Sequence, residues 1–541
     1  MLGIQFKRSN ESAYLRQNYP YPTFMSKIIL PAAQWSVLVD QLKTIAPEMF
    51  DSSNGRLLNH IAGEWKLPGN GKPIFSPIDG TQLGYLPMLH AAEGKKAVAA
   101  SAVEFDRWRP LSFDERRTRV EATLDAFRKH RDLLAYLLTW EIGKPVLQAR
   151  TSVDRCIEGV EWYLEKTEEF SAGRPPLGLV SNIASWNYPM SVLMHAMVIQ
   201  ALCGNSVIAK VPTDGGLYTL SLAVALARRA GLPFTLISGS GGELSEALIQ
   251  SPEIAAMSYV GGKSHGRGIS LSLIDNHKRH MLEMEGVNAY GIWDYSQWPE
   301  LAAQIKKGYE YGKQRCTAYV RWVVQRDLFP AFLETYISTV KSLQIGHPLL
   351  VEEGETEAPK VDFGPLINNR KVEDLRGLVA DALSKGAVKL YQSSLNMDQF
   401  LPGQDISAYL SPIALLGVPK NAQLYYNEPF GPVDTFVVVD SLDEMVAEMN
   451  VSNGNLVSSL ATDHPNALKH TAAELRAFKV GINKLRSRGD REEPFGGLGQ
   501  SWKGCYVGGK YLVEALTEPA PGQRLYGNFH DYTLLPEGIN T

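Results

Sequence analysis

Four cysteines in 541 residues, Cys156, Cys203, Cys316 and Cys505, are too few and too far apart for a disulfide framework. None forms a CxxC pair, so no zinc site is suggested either and no metal is expected; a reducing cytoplasm fits best. Positive charge is not in excess, with 54 Lys+Arg against 58 Asp+Glu and a formal charge of -4, which argues against a nucleic-acid partner. No segment reaches the roughly 18 consecutive apolar residues of a membrane span. The opening MLGIQFKRSNESAYLRQNYPYPTF lacks the apolar run and small-residue cleavage site of a secretory leader, so no membrane partner or export is expected. Internal repeats and low-complexity stretches are also missing.

What is present is the composition of a folded enzyme: 44% hydrophobic and 21% charged residues, with 47 Gly and 31 Pro. The length exceeds what one core serves and predicts several domains. Residues 1–56 read as an N-terminal extension holding one helix, with apolar positions at Trp35, Leu38, Val39, Leu42 and Ile45. From Ile61, short β-type runs broken by Pro-Gly, Asn-Gly and Asp-Gly predict a small hairpin layer. Helices are expected over 91–109 and 113–141. LGLVSNIAS, SVIAKVP, FTLIS and IAAMSYVGG then alternate with helical text, the pattern of a parallel sheet between helices. A second α/β unit, beginning with the strand VRWVVQ, is expected over about 300–480.

Three stretches carry chemistry. In GKQRCTA, 312–318, Cys316 follows a glycine turn and has polar neighbours, whereas most lone cysteines are small buried hydrophobes. Arg315 beside it would favour the thiolate and could meet an anionic substrate group. In SWNYPM, 185–190, Asn187 stands between a strand and a helix opening at Pro189. Its amide suits an oxyanion, although an Asn there is more often a helix cap. In LEMEGVNA, 282–289, Glu283 lies in apolar text that suits a general base; a solvated pair of carboxylates at a strand end is the plain alternative.

Taken in order, SWNYP, IAKVPTDG, SGSGGEL, MSYVGGKSHGRGI, LEMEGVNA, GKQRCTA, NEPFGPV and GIN with EEPFGGLGQS resemble the aldehyde dehydrogenase superfamily over about 57–520. The resemblance implies an α/β fold with a Rossmann-type cofactor domain at 57–298 and a catalytic α/β domain at 299–485. Residues 486–541 would return to the cofactor domain and form a C-terminal oligomerisation segment. It implies Cys316 as nucleophile, Asn187 with the Cys316 N–H as oxyanion holder, and Glu283 as the base that hydrolyses a thioester. Lys210 would hold the adenosine ribose and Glu428 the nicotinamide ribose. Trp186 and Phe430 would shape the cofactor pocket, and Gly239 and Gly261 would lie near the dinucleotide.

Where many NAD-using relatives carry a glutamate, this chain has Thr213, which removes a repulsion against a 2′-phosphate and predicts NADP over NAD, although Asp214 is adjacent. KVPTDG, QRCTA and NKLRSRGDREEPFGG are most similar to the non-phosphorylating glyceraldehyde-3-phosphate dehydrogenase branch. That similarity implies Arg315 and Arg488 as substrate-phosphate ligands, with Tyr188 as a further donor. Alternatively these arginines are structural ion-pair formers beside Asp490, Glu492 and Glu493. A semialdehyde or aliphatic aldehyde with NAD, a non-catalytic binding role, and acyl transfer to coenzyme A are the other readings. Glu285 stands where relatives have glycine, and predicts like-charge repulsion on Glu283. The stretch 162–178 is too short for the long hairpin that pairs subunits in relatives, so the expected dimer or tetramer would need other contacts.

Overall fold

The computed structural model describes residues 27–274, 278–452, 454–489 and 491–529. Two large sheets organise them. The first is built on five parallel strands: β1 (Leu179–Ile183), β2 (Ser206–Lys210), β3 (Phe234–Ile237), β4 (Ile254–Gly261) and β5 (Arg279–Met284). Their spatial order is β5-β4-β1-β2-β3, a doubly wound arrangement whose direction of winding reverses between β1 and β4. Runs such as SVIAK and FTLI are buried along their whole length, as strands covered by helices on both faces must be. Antiparallel strands extend the edges, Asn59–Ile61 beside β3 and Trp502–Cys505 beside β5.

The second sheet contains β6 (Ala289–Ile292), β7 (Arg321–Gln325), β8 (Val388–Gln392), β9 (Ile413–Leu416), β10 (Val433–Val439), β11 (Asn455–Ala461) and β12 (Ala477–Ile482). Its order is β8-β9-β10-β7-β6-β11-β12, parallel except at the β8 edge. The chain therefore crosses between the sheets over the four residues between Met284 and Ala289, ahead of the boundary expected near 298, and VRWVVQ is the second strand of its unit. The crossing is legible only through pairing, because RHMLEM and AYGI both read as short strands and nothing in them assigns a sheet.

Local signals account for the helices. Ser112 and Glu115 form a reciprocal capping box that starts Phe113–Lys129. The helix expected over 113–141 breaks at His130, whose backbone is not helical, and restarts as Arg131–Ile142. Every residue from Leu133 to Ile142 is buried, so this segment lies between neighbours, while Phe113–Lys129 keeps a solvent face. Gly143, at φ 68, closes it in the left-handed cap that glycine adopts without strain.

The expected extension is part of the fold from residue 27 onward; residues 1–26 lie outside the described residues. Lys27–Ile29 pairs antiparallel with Leu350–Glu352, and helix Trp35–Ile45 buries Leu38 and Leu42. Trp35 packs edge-on against Tyr218 at 4.9 Å and tilted against Trp140 at 6.2 Å. Helix Val146–Phe170 runs to within nine residues of β1, which leaves no room for a long hairpin. Among the described residues no helix is long and apolar enough to cross a membrane.

Candidate active site

The C-terminal ends of β1, β2, β4 and β5 and the loops preceding β7 and β10 face one another across a cleft of about 360 Å³. Ligands of doubly wound sheets bind at such a strand-end crevice, where the winding reverses. Cys316, Glu283, Asn187, Trp186, Gly261, Glu428 and Phe430 all line it. Sequence neighbours do not bring them together; strand-end turns do.

Cys316 reaches the cleft from an unusual turn. Tyr311, Gly312 and Lys313 are all left-handed, at φ 59, 60 and 59. Left-handed residues with a Cβ cost on the order of 1 kcal/mol or more each, so the surroundings must hold them. Gln314 is fully buried; its side-chain amide donates to the carbonyls of Tyr311 and Pro365, and its oxygen accepts from the N–H of Ile367. Lys313 donates to the Tyr319 carbonyl at 2.8 Å and to Asp434 Oδ1 at 2.5 Å. Asn288 Nδ2 donates to the carbonyls of Cys316 at 2.7 Å and Ala318 at 3.0 Å. Asn288 lay inside LEMEGVNA and Lys313 inside GKQRCTA without being singled out, while Asp434, 121 residues from Lys313, lay outside every motif.

The thiol donates to Glu283 Oε1 at 2.8 Å. Burial first, then the negative charges of Glu283 and Glu428, hold its pKa well above the ordinary thiol value, with Arg488 opposing. The expected help from Arg315 is not there. Its Nη2 donates to the carbonyls of Gly308 at 2.7 Å and Lys307 at 3.4 Å, capping helix Trp298–Gly308, and Glu310 is 3.9 Å away. The left-handed turn sends residues 315 and 316 in different directions, so Arg315 does not line the cleft.

Arg488, by contrast, is at the centre: its Nη1 donates to Glu283 Oε2 at 3.0 Å. Its partner is thus Glu283, not Glu492 or Glu493; Asp490 lies outside the described residues. Asn187 Nδ2 donates to the Gln314 carbonyl at 3.0 Å, which fixes the amide beside the Cys316 turn. Lys144, fully buried, donates to the Asn187 carbonyl at 2.8 Å and lies 4.0 Å from the Tyr188 ring centre. Tyr188 therefore packs behind Asn187 and is absent from the cleft lining.

On the other half of the cleft, Trp186 and Phe430 meet edge to face at 5.9 Å. Glu428 is 6% exposed, and among the described residues neither carboxylate oxygen has a hydrogen-bond partner of good geometry, the Gly286 N–H being the backbone donor that acts on it. Burial, then the charge of Glu285, push its pKa well up. A buried carboxyl with both oxygens unpaired in a cleft fits a ribose diol. Lys210 donates to Thr213 Oγ1 at 3.2 Å, and its pKa is drawn down to about 8 by burial and by Lys72, against Asp214. Thr213 and Asp214 open onto an adjoining cleft with Lys72 and Asn368. Gly239 is placed differently: a Cβ there would meet Leu244 at 2.5 Å and the Leu89 carbonyl at 3.1 Å, so its need is close packing, and it lines neither cleft. Glu285 lines the cleft beside Glu283, but its Oε1 accepts from the Lys263 N–H at 3.4 Å and its charge acts on Glu428 and Tyr259. Asn368, Lys371 and Asp374, from the start of helix Asn369–Ser384, complete the wall and belong to no motif singled out in the sequence.

A doubly wound sheet opening onto a thiol, a carboxylate and a side-chain amide beneath a second α/β sheet defines the class: a two-sheet α/β enzyme with a strand-end cofactor cleft. The chain belongs to the aldehyde dehydrogenase family, which matches residues 67–520. It is an aldehyde-oxidising oxidoreductase that uses a nicotinamide cofactor and a small-molecule aldehyde. It is 29% identical over 483 residues to the NADP-dependent glyceraldehyde-3-phosphate dehydrogenase of Streptococcus equinus, covering 85% of this chain and 96% of that protein. It is 28% identical over 482 residues to the non-phosphorylating aspartate-semialdehyde dehydrogenase of Halomonas elongata, covering 85% and 94%. Among solved structures, NADP-dependent glyceraldehyde-3-phosphate dehydrogenase from Bacillus halodurans complexed with NADP superposes with a TM-score of 0.76 at 25% identity, covering 86% and 98%.

Proposed function

We propose that the protein oxidises an aldehyde carrying an anionic terminal group to the carboxylic acid, with NADP preferred. The observation that carries this reading is the contact of the Cys316 thiol with Glu283, whose other oxygen is held by Arg488. One guanidinium within reach of the base is hard to reconcile with a purely apolar substrate. The relatives point the same way, since glyceraldehyde-3-phosphate, aspartate semialdehyde and glutarate semialdehyde, which their names carry, all have an anionic end.

Glu283 Oε1 takes the thiol proton as Sγ adds to the carbonyl carbon. The resulting oxyanion is received by Asn187 Nδ2 and the Cys316 N–H. The nicotinamide, when bound, supplies the acceptor for the hydride leaving the thiohemiacetal carbon. Glu283 gives that first proton up to solvent, then takes one from the water that adds to the thioester, and as the C–S bond breaks the acid is released and the proton on Glu283 passes to sulfur, restoring the thiol. Glu428 would accept the ribose hydroxyls, Trp186 and Phe430 would flank the ring, and Lys210 with Thr213 would hold the adenosine ribose, where no carboxylate three residues on from the lysine repels a 2′-phosphate.

A panel of neutral, carboxylate-bearing and phosphate-bearing aldehydes, run with both cofactors, tests the reading. Turnover of anionic aldehydes above neutral ones of equal length, faster with NADP and abolished in Cys316→Ser, is expected. Preference for neutral aldehydes would reject the substrate class, and equal or better kcat/KM with NAD would reject the cofactor.

A further inference from the structure

Lys144 is 1% exposed, and no carboxylate pairs with it among the described residues; the charges that act on it, Arg155 and Arg315, carry its own sign. Buried charges are ordinarily paired, so an ammonium kept without a counter-charge calls for a reason. Its partners are neutral and come from two loops of the cleft. Nζ donates to the Asn187 carbonyl at 2.8 Å and to Ser152 Oγ at 3.2 Å, and it lies 4.0 Å from the Tyr188 ring centre and 4.6 Å from that of Tyr311. Aromatic faces attract a desolvated cation, so both rings help to retain it. Tyr311 opens the left-handed turn that delivers Cys316, and its hydroxyl donates to the Ile142 carbonyl at 2.9 Å, two residues before Lys144. Asn187 Nδ2 carries two N–H groups, and the Gln314 carbonyl takes one at 3.0 Å, which leaves the other for an oxyanion.

We propose that Lys144 is a positioning residue for the oxyanion: gripping the Asn187 carbonyl on one side and the Tyr311 ring on the other, it sets the spacing between the Asn187 amide and the Cys316 N–H. The inference rests on Asn187 as the oxyanion donor, and it is independent of which aldehyde is oxidised. Lys144 lines no part of the cleft, so it acts through Asn187 and not by contact with substrate or dinucleotide. Without its bond to Lys144 the Asn187 peptide can rotate, and the free N–H of Nδ2 turns away from where the oxyanion forms. A donor misplaced by about 1 Å can cost about 10²-fold in rate. The effect belongs to the transition states of thiol addition and of thioester hydrolysis, both of which carry the oxyanion, and so it is expressed in kcat and not in dinucleotide binding.

A double-mutant cycle in the full-length protein tests the proposal. Lys144→Met keeps the shape of the side chain and removes its charge and donors. We expect kcat to fall about 10- to 100-fold, equally for the fastest neutral and the fastest anionic aldehyde of the panel. Dinucleotide affinity by fluorescence is unchanged, as is the rate of Cys316 alkylation by iodoacetamide, a displacement that forms no oxyanion. In an Asn187→Ala background, where no side-chain donor is left to place, the same substitution costs no more than about twofold. A brace with no part in placing the donor would instead lower kcat by one factor in both backgrounds and alter the alkylation rate, and either result overturns the proposal, as does a parental kcat in Lys144→Met. If Lys144→Met does not accumulate as folded protein, Lys144→Gln, which reaches one atom less far, is taken through the same cycle, and its loss must likewise vanish in the Asn187→Ala background. A parental kcat in Asn187→Ala rejects the oxyanion reading and the proposal with it, whereas a loss in Asn187→Ala to which that of Lys144→Met simply adds rejects the positioning alone.

Discussion

Replacing Lys313 by Met isolates the brace under the nucleophile. Lys313 and Asp434 are both fully buried, and the ammonium donates to Asp434 Oδ1 and to the Tyr319 carbonyl. The other oxygen of Asp434 accepts from Tyr309 and Tyr336, each at 2.7 Å. Lys313→Met is close in shape but leaves a buried carboxylate facing an apolar chain. Breaking a buried pair from one side costs about 3 to 5 kcal/mol. The entropy of unfolding is about 2.1 cal/mol/K per residue, so this lowers Tm by about 10 °C if a catalytic unit of about 190 residues melts alone, and by about 4 °C if some 500 residues melt together. Lys313→Met/Asp434→Asn removes both charges and recovers most of the loss, because the buried carboxylate is gone. Scanning calorimetry at one scan rate, with iodoacetamide alkylation of Cys316 in parallel, reads both stability and the placement of the thiol. A Tm shift below 1 °C in the single variant, or a double variant as unstable as the single, refutes the account of the turn as held by this pair.

Asn187→Ala removes the side-chain donor for the oxyanion and is expected to lower kcat about 10²- to 10³-fold with little change in KM, checked by steady-state kinetics. Thr213→Glu places a carboxylate within reach of Lys210, so affinity for 2′,5′-ADP by calorimetry falls at least about tenfold while 5′-AMP is unaffected. Glu285→Gly withdraws a charge that raises Glu428, so Glu428 ionises at lower pH and the pH dependence of dinucleotide binding moves toward acid, as a fluorescence titration will show. His60 is buried and its pKa is held down to about 3, first by burial and then by Arg228. The unfolded chain therefore takes up a proton below about pH 6.5 that the folded one refuses, and stability falls with acid through the window from 6.5 to 3. The loss is about 2 kcal/mol at pH 5. His60→Gln should flatten that part of the stability curve, and an unchanged slope counts against it.

Much of the fold was legible because β2 and β3 are buried along their whole length and β1 nearly so, and all four of β1 to β4 read as short, mainly apolar runs between helical segments. The crossing to the second sheet was not, since β5 and β6 are both short strand text and only their hydrogen-bonded partners assign them. Residues 27–56 were read as an extension because a three-residue strand and one amphipathic helix carry little periodic signal. Their anchorage, Lys27–Ile29 on Leu350–Glu352 and Trp35 on Trp140 and Tyr218, joins positions hundreds of residues apart or separated by whole elements.

The two arginines show where the legible part of the site ends. Arg315 and Arg488 read alike in the sequence, each a cation near a catalytic motif, and both suggested an anion site. What separates them is backbone conformation. Three left-handed residues turn the chain just before Arg315, so adjacency to Cys316 in sequence becomes divergence in space, and the guanidinium finds helix carbonyls. Arg488 lies 172 positions beyond Cys316, yet the loop after β12 returns it to Glu283. Charge type is written in the residue, but the group a charge acts on is decided by turns that the side chains involved do not encode. The same holds for Glu285, two residues from Glu283 and in the same cleft, whose charge acts on Glu428 instead. Of three charged residues that the sequence placed beside the thiol or its base, only Arg488 touches the reacting groups. A substitution at Arg488 therefore acts directly on Glu283, whereas one at Arg315 acts first on the end of helix Trp298–Gly308.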